Sequence, residues 1–236
     1  MKRIYKKLVS HEQQVLINRW LRRELGDPNY LRIQRFFNAG ALQKRVVNSG
    51  LCFIHVPKSA GTAVVRTIFG VRGVGHFKAS TIKTVDREYF SHAFKFAIYR
   101  DPVERLQSAY RFFIQGGTEA VKVVNECNKQ RGFSNFEEFV IDWLPNQDIE
   151  KLDYVFQLQS AFLKSESGDI LVDKIYHIDN LALLENDVSQ KLGREISFPR
   201  INATSSTAES ISANCIKVIK EIYSDDYELE DAVSVE

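Results

Sequence analysis

Apolar and polar positions along this chain fall into blocks of two kinds. Residues 51–56 and 94–99 are nearly continuous apolar runs of strand length, the pattern of strands covered on both faces. Elsewhere the apolar positions recur at helical spacing. Over residues 11–25, Val15, Leu16, Trp20 and Leu21 form one stripe with Arg19, Arg22 and Arg23 off it, and such a stripe is expected to pack on the parent domain. Gly26-Asp27-Pro28 ends this helix, and a second short helix is expected over 30–37. Helices are predicted from Thr62 to about Phe69 and over 81–90, separated by an irregular connection that contains Gly73, Gly75 and His76.

The helix after residue 99 has a clear start: Asp101 as N-cap, Pro102 at the first helical position and Glu104 three residues after the cap. Its apolar stripe is Val103, Leu106, Tyr110, Phe113 and Ile114. Ser108 falls almost opposite, beside Arg105 and Asp101, with Phe112 on its side. That second face is expected to meet a ligand or another element. Ser134 with Glu137 predicts a helix reaching Leu144. Residues 152–163 read as helical and mostly buried, 170–172 and 174–178 as strands, 180–192 as a helix closed by Gly193, and 208–229 as a final helix or helix pair. Strands alternating with helices predict an α/β fold of three layers around a central parallel sheet. Residues 1–50 form an N-terminal helical arm, and 51–236 the main domain.

Both apolar strands lead into a helix, so each presents a turn where free N–H groups and the positive end of a helix dipole favour an anion. The first turn reads His55-Val56-Pro57-Lys58-Ser59-Ala60-Gly61-Thr62-Ala63, and the second begins Arg100-Asp101-Pro102 and reaches Ser108. Lys58 brings a mobile point charge, Arg100 a planar fork, and Ser59, Thr62 and Ser108 hydroxyls. Two such cradles on neighbouring strands imply a ligand with two anionic ends.

These segments resemble the 5′-phosphosulfate loop and the 3′-phosphate motif of sulfotransferases that use 3′-phosphoadenylyl sulfate (PAPS), with Arg100 and Ser108 at the family's eight-residue separation. The wording Phe-Ile-His-Val-Pro-Lys-Ser-Ala-Gly-Thr is similar to the carbohydrate branch. Weaker echoes are Pro199-Arg200-Ile201-Asn202 and the late run Ile222-Tyr223-Ser224-Asp225-Asp226-Tyr227-Glu228-Leu229. The resemblance spans about residues 51–229. It implies a P-loop-like sulfotransferase fold, PAPS as donor giving PAP, no metal, and a carbohydrate or related hydroxyl as acceptor. It also implies cofactor contacts from Lys58, Ser59, Ala60, Gly61, Thr62, Ala63, Arg100 and Ser108, with Lys58 offsetting charge on the departing phosphate. Gly61 is expected to let the backbone approach that phosphate closely. Arg100 can instead pair with Asp101 or Glu104, and Arg105 is open between a structural ion pair and a ligand contact. Two other readings stand beside this one: an inactive PAP- or glycan-binding module, and a P-loop nucleotide kinase. The kinase would need a Gly-x-x-x-x-Gly-Lys-Ser/Thr loop, whereas Lys58 precedes the turn's only glycine.

The acceptor hydroxyl needs a general base, and histidine, with an ordinary pKa near ~6.5, suits neutral pH. His11 and His177 lack a supporting motif, and His55 is expected to hold the loop. His76 lies where related carbohydrate sulfotransferases often place their base and is assigned that role, with His92, Asp86 and Glu88 as the alternatives.

Composition adds a compartment and a charge asymmetry. The chain's 44% hydrophobic and 26% charged content over 236 residues is that of an ordinary globular protein. No apolar stretch approaches the ~18–20 residues that span a bilayer, and the basic start (Lys2, Arg3, Lys6, Lys7) is not followed by a signal-peptide core. Cys52, Cys127 and Cys215 are odd in number and lack metal-ligand spacing. Together these predict a cytoplasmic, bacterial-type enzyme. Residues 1–50 hold eleven Lys/Arg against three acids, whereas the rest hold 21 against 27. Such an arm either draws in an acidic glycan or a membrane surface, or packs against acidic surface of its own chain such as 225–231. No nucleic-acid partner is expected.

Overall fold

The computed structural model of the chain describes residues 11–118, 121–122, 132–199 and 211–234. Strands β1 (Leu51–Ile54), β2 (Phe94–Tyr99), β3 (Gly117–Thr118), β4 (Val121–Lys122), β5 (Lys174–His177) and β6 (Val233–Ser234) make two sheets. The central sheet is four-stranded in the order β1-β2-β5-β6, every neighbouring pair parallel, and β3 and β4 form a separate antiparallel pair. This is the mixed α/β architecture with a central parallel sheet that the alternation of strands and helices predicts, and it agrees with the P-loop-like fold that the resemblance implies. β1 stops two residues early because the chain turns, the Val56 N–H donating to the Ile54 carbonyl at 3.0 Å. The register sets Ile54 beside Ala97 and Tyr99 beside His177. The carboxyl ends of β1, β2 and β5 therefore emerge together, the edge at which open parallel sheets bind ligands.

The main helices are α1 (His11–Phe36), α2 (Gly61–Phe69), α3 (Ala79–Val85), α4 (Arg87–His92), α5 (Pro102–Ile114), α6 (Ser160–Leu163), α7 (Leu181–Leu192) and α8 (Ala213–Ile222). α1 breaks at Gly26, whose φ of 71° is left-handed, so the two expected helices meet at a kink at the predicted stop. Asp101 caps α5 as expected, accepting from the Glu104 N–H at 3.0 Å. One apolar cluster joins β1, β2 and β5 to α2 and also takes in Tyr30, Leu31, Leu42 and Val46, so the second half of the arm shares the core of the sheet. A second cluster packs Leu106, Tyr110 and Phe113 of α5 against Phe139, Phe156 and Ile219.

Several elements differ from expectation. Leu16 and Trp20 do not pack on the domain, being 44% and 55% exposed, whereas Leu21 meets the core. Ile114 is likewise exposed, because the last turn of α5 runs past the second cluster. The Ser134/Glu137 start is displaced by one residue. Asn135 accepts from the Glu138 N–H, Glu138 accepts from the Ser134 N–H, and Glu137 instead accepts from the Ser212 N–H. The helix that follows is not α throughout but widens to a π turn at Phe139–Trp143. Within 152–163 only α6 is helical. The carbonyls of Val155 and Gln157 receive the Arg105 guanidinium at 3.1 and 2.8 Å, so a buried side chain satisfies them where helix bonds were expected. The expected strand at 170–172 reduces to one bridge between Ile170 and Lys164. The expected final helix pair is present in the described residues as α8 and a one-turn helix at Ser224–Tyr227. Among the described residues no helix is long and apolar enough to cross a membrane.

Candidate active site

The loop after β1 is held in an unfavourable backbone conformation. Lys58 and Ala60 have φ of 69° and 57°, left-handed values that cost L-residues about 1–2 kcal/mol each. A fold keeps such strain where backbone N–H groups must converge on one point, and turns of this kind are anion nests. Ala60 supplies no side-chain cap to α2, so the N–H groups of Gly61 and Thr62 face the loop unclaimed by a cap. Ser59 is 1% exposed and its hydroxyl has no partner among the described residues, an arrangement that costs about 1–3 kcal/mol unless something fills the loop. Packing alone gives Gly61 a reason to be glycine, independent of the expected approach to a phosphate. A Cβ there would fall onto the imidazole of His55.

Three cations surround this loop. The Lys58 ammonium stands 4.3 Å over the Phe112 ring, and burial first, then the charges of Arg100 and Arg111, push its pKa down to about 8. The Arg100 guanidinium donates to the Lys58 carbonyl at 3.3 Å and to the Glu104 carboxylate at 3.3 Å. The competing pairing of Arg100 with Glu104 is therefore present, yet it leaves the guanidinium bridging both anion turns. Gln159, fully buried, fixes Arg100 from behind: its side chain accepts from the Arg100 N–H at 3.1 Å and donates to the Arg100 carbonyl at 2.8 Å. Ser108 lies half-buried on the face of α5 that carries Phe112. Arg105 is not part of this cluster. It is fully buried, 3.5 Å from Asp226, and donates to the Val155 and Gln157 carbonyls, which settles it as a structural ion pair.

The candidate bases separate by position. His76 meets the loop directly. Its Nδ1 is 2.9 Å from the His55 carbonyl, and its ring lies 4.2 Å from that of His55, which in turn stacks on Phe53. A carbonyl only accepts, so Nδ1 carries the proton and Nε2 is left as the basic nitrogen. Burial lowers the pKa of His76, with the nearby charges of Arg22 and Lys58 acting in the same direction. His92 is exposed at the end of α4 and bonded to the Glu88 carbonyl. It precedes β2, while the anion turn follows it, so the strand's length of about 20 Å intervenes. Asp86 caps α4 and pairs with Arg35 at the same remote edge. His177 ends β5, its ring 5.8 Å from that of Tyr99, closer to the site than its lack of a motif suggests. The side chain of His11, all of Arg200 and Asn202, and Thr204 to Ser206 lie outside what the structure describes.

A family model described as the sulfotransferase family matches residues 47–229. The chain belongs to the sulfotransferase family. No curated protein and no solved structure gives a match.

In this sulfotransferase the residues that sequence reasoning missed are those that act by position. Gln159 holds Arg100 but sits 59 residues away in sequence, and no local pattern marks it. Arg111 had a usable signal, being three residues after Ser108 and so on the same side of α5. Phe112 was placed beside Ser108 by the same periodicity, and there it carries the Lys58 ammonium.

Proposed function

We propose that this sulfotransferase moves a sulfuryl group from PAPS to a hydroxyl of a carbohydrate or related acceptor by in-line transfer, with His76 as general base. The observation that supports it most is the convergence of Lys58, Arg100 and Arg111 on a strained loop with an unpartnered buried hydroxyl, Ser59. An anion with more than one charged end would answer all of these at once, so the residues fit the donor. The donor brings the sulfuryl group, and its 5′-phosphate leaves with the electron pair of the broken S–O bond.

The chain's own residues then have separable tasks. The loop of Lys58 to Ala63 binds the phosphate near sulfur through N–H groups and the Ser59 and Thr62 hydroxyls. Lys58 offsets charge as it builds on the leaving oxygen, the largest kind of contribution open to an enzyme without covalent chemistry. Arg100 and Ser108 receive the 3′-phosphate. His76 takes the acceptor proton at Nε2.

Calorimetry with PAP and adenosine 5′-phosphosulfate tests the donor assignment. Arg100→Ala is expected to weaken PAP by about 1.5–3 kcal/mol, the worth of hydrogen bonds to a charged group, and adenosine 5′-phosphosulfate far less. Equal weakening of both would make Arg100 structural and remove the case for PAPS. PAP binding without turnover over a broad panel of hydroxyl acceptors would favour a binding module.

A further inference from the structure

A groove of about 660 Å³ runs between the first half of α1 and residues 149–157, within the ~300–1,000 Å³ range of small-ligand sites. Its mouth carries Leu16 and Trp20, the part of the amphipathic stripe that does not pack on the domain. Its floor leads to the candidate base. Tyr154 lines the groove and its ring lies 6.1 Å from that of His76. Arg22, also lining it, sits 4.5 Å over Tyr154 and donates to the His76 carbonyl at 2.6 Å. The wall supplied by α1 lies outside the matched residues 47–229.

The charges of this groove decide what it holds. Arg19, Arg22, Arg23 and Lys151 line it, and each is paired with a carboxylate: Asp153 at 3.4 Å, Asp27, Glu24 at 3.1 Å and Asp148 at 2.7 Å. Glu150 lines it as well. A polyanion entering here would meet bases that are already paired, beside the lining acids Asp27, Glu150 and Asp153, and would have to break ion pairs to be held. A chain of hydroxyls meets the reverse situation, because each hydroxyl both donates and accepts and can bridge a guanidinium and its carboxylate without separating them. The exposed indole of Trp20 adds a flat apolar face of the kind that covers the C–H face of a pyranose ring.

We infer that this groove is the acceptor site, that it takes a neutral saccharide chain, and that Trp20 is its stacking platform and Arg19 and Asp153 its hydroxyl readers. The inference rests on the sulfotransferase reading above. The basic arm thus serves as a polar wall rather than as an attractor of acidic glycans.

The test uses the full chain and two independent titrations by calorimetry: PAP alone, and a panel of short neutral oligosaccharides (glucans, mannans, galactans and N-acetylhexosamine polymers) beside sulfated and uronate-containing ones. At least one neutral oligosaccharide is expected to bind. Trp20→Ala is expected to weaken it about tenfold or more, the loss of a central aromatic anchor, and Trp20→Phe less, with PAP affinity unchanged in both. Binding of the neutral chain is expected to be insensitive to salt between low and physiological ionic strength. In turnover, Trp20→Ala raises KM for the acceptor and spares kcat. The inference is overturned if no neutral member binds, if anionic members bind tighter with strong salt dependence, or if Trp20→Ala and Trp20→Phe bind the oligosaccharide like the parent. Oligosaccharide binding that survives while PAP fails to bind would instead overturn the donor assignment and leave the groove standing.

Discussion

Raising the pH perturbs the donor loop at one atom. Lys58 titrates at about 8 rather than 10.5, through burial first and the charges of Arg100 and Arg111 second. Relative to the unfolded chain, the folded, ligand-free protein therefore favours its neutral form. The unfolded chain keeps the proton to its ordinary value, so between about pH 8 and 10.5 the unfolded state binds more protons and this residue's penalty on folding is relieved as pH rises. Ligand binding has the opposite sign. A phosphate beside the ammonium favours the charged form and pulls the pKa back up, so PAP binding must take up a proton wherever free Lys58 has lost it. At pH 8 about half of the free protein lacks that proton, and at pH 9 about nine-tenths does. Binding should thus take up about half a proton and then about nine-tenths. Affinity should fall by up to about tenfold per pH unit above 8 until the bound-state pKa is passed. PAP does not mask the effect, because phosphate monoesters lose their second proton near pH ~6. Calorimetry at pH 7, 8 and 9 in two buffers of different ionisation heat reads the uptake directly, and Lys58→Met should abolish it. Flat PAP affinity across this range with no uptake would refute the placement of Lys58 against a phosphate.

Three further outcomes follow from the packing around that loop. His76→Ala should remove most turnover and the acidic limb of the pH–rate profile, which in the parent lies below the ordinary histidine value because burial lowers its pKa, while PAP binding stays near normal; a retained limb would move the base elsewhere. Gly61→Ala drives a methyl into the His55 ring and should cost about 1–3 kcal/mol as overpacking, read as a thermal midpoint lowered by roughly 2–4 °C per kcal/mol; an unchanged midpoint with unchanged PAP affinity would show that the ring moves freely. Asp226→Ala leaves the Arg105 guanidinium buried without its carboxylate and should cost about 3–5 kcal/mol in denaturant unfolding, with a loss below 1 kcal/mol counting against a structural pair.

How much of this was legible in the chain depended on the range of the forces involved. The two strand-to-helix turns were readable because strand, turn chemistry and helix cap are contiguous: 51–56 before Lys58, 94–99 before Arg100, and Asp101-Pro102 with Glu104 after it. The kink at Gly26 and the stop at Gly193 were readable for the same reason, since a positive φ is a property of single residues. Residues 152–159 were misjudged because their carbonyls are satisfied by Arg105, fifty residues away, and an apolar pattern cannot report a distant guanidinium. The start near residue 134 missed by one position because Ser134 and Asn135 are both good caps and the choice was made by Glu137 reaching Ser212. The exposed stripe of α1 was misjudged because amphipathicity records a face that meets something without saying what.

The donor loop and the base are joined through one residue, and this explains why His55, which contacts neither phosphate nor acceptor in the proposal, occupies the turn. Its ring fills the space below Gly61, at the first turn of α2, while its carbonyl fixes the Nδ1 proton of His76. His55 thus touches both elements, its ring against Gly61 and its carbonyl against the imidazole of His76. Arg22 extends the linkage outward, because the guanidinium that donates to the His76 carbonyl also caps the Tyr154 face of the groove. Donor loop, base and acceptor wall consequently share a single chain of contacts: Gly61, His55, His76, Arg22 and Tyr154. Every link in it is short-ranged packing or a hydrogen bond rather than a long-range field. Under this arrangement an acceptor seated against Tyr154 and a donor seated at Gly61 act on the same imidazole from opposite sides. Positioning, the main resource of an enzyme that forms no covalent intermediate, is then supplied to both substrates by one set of side chains.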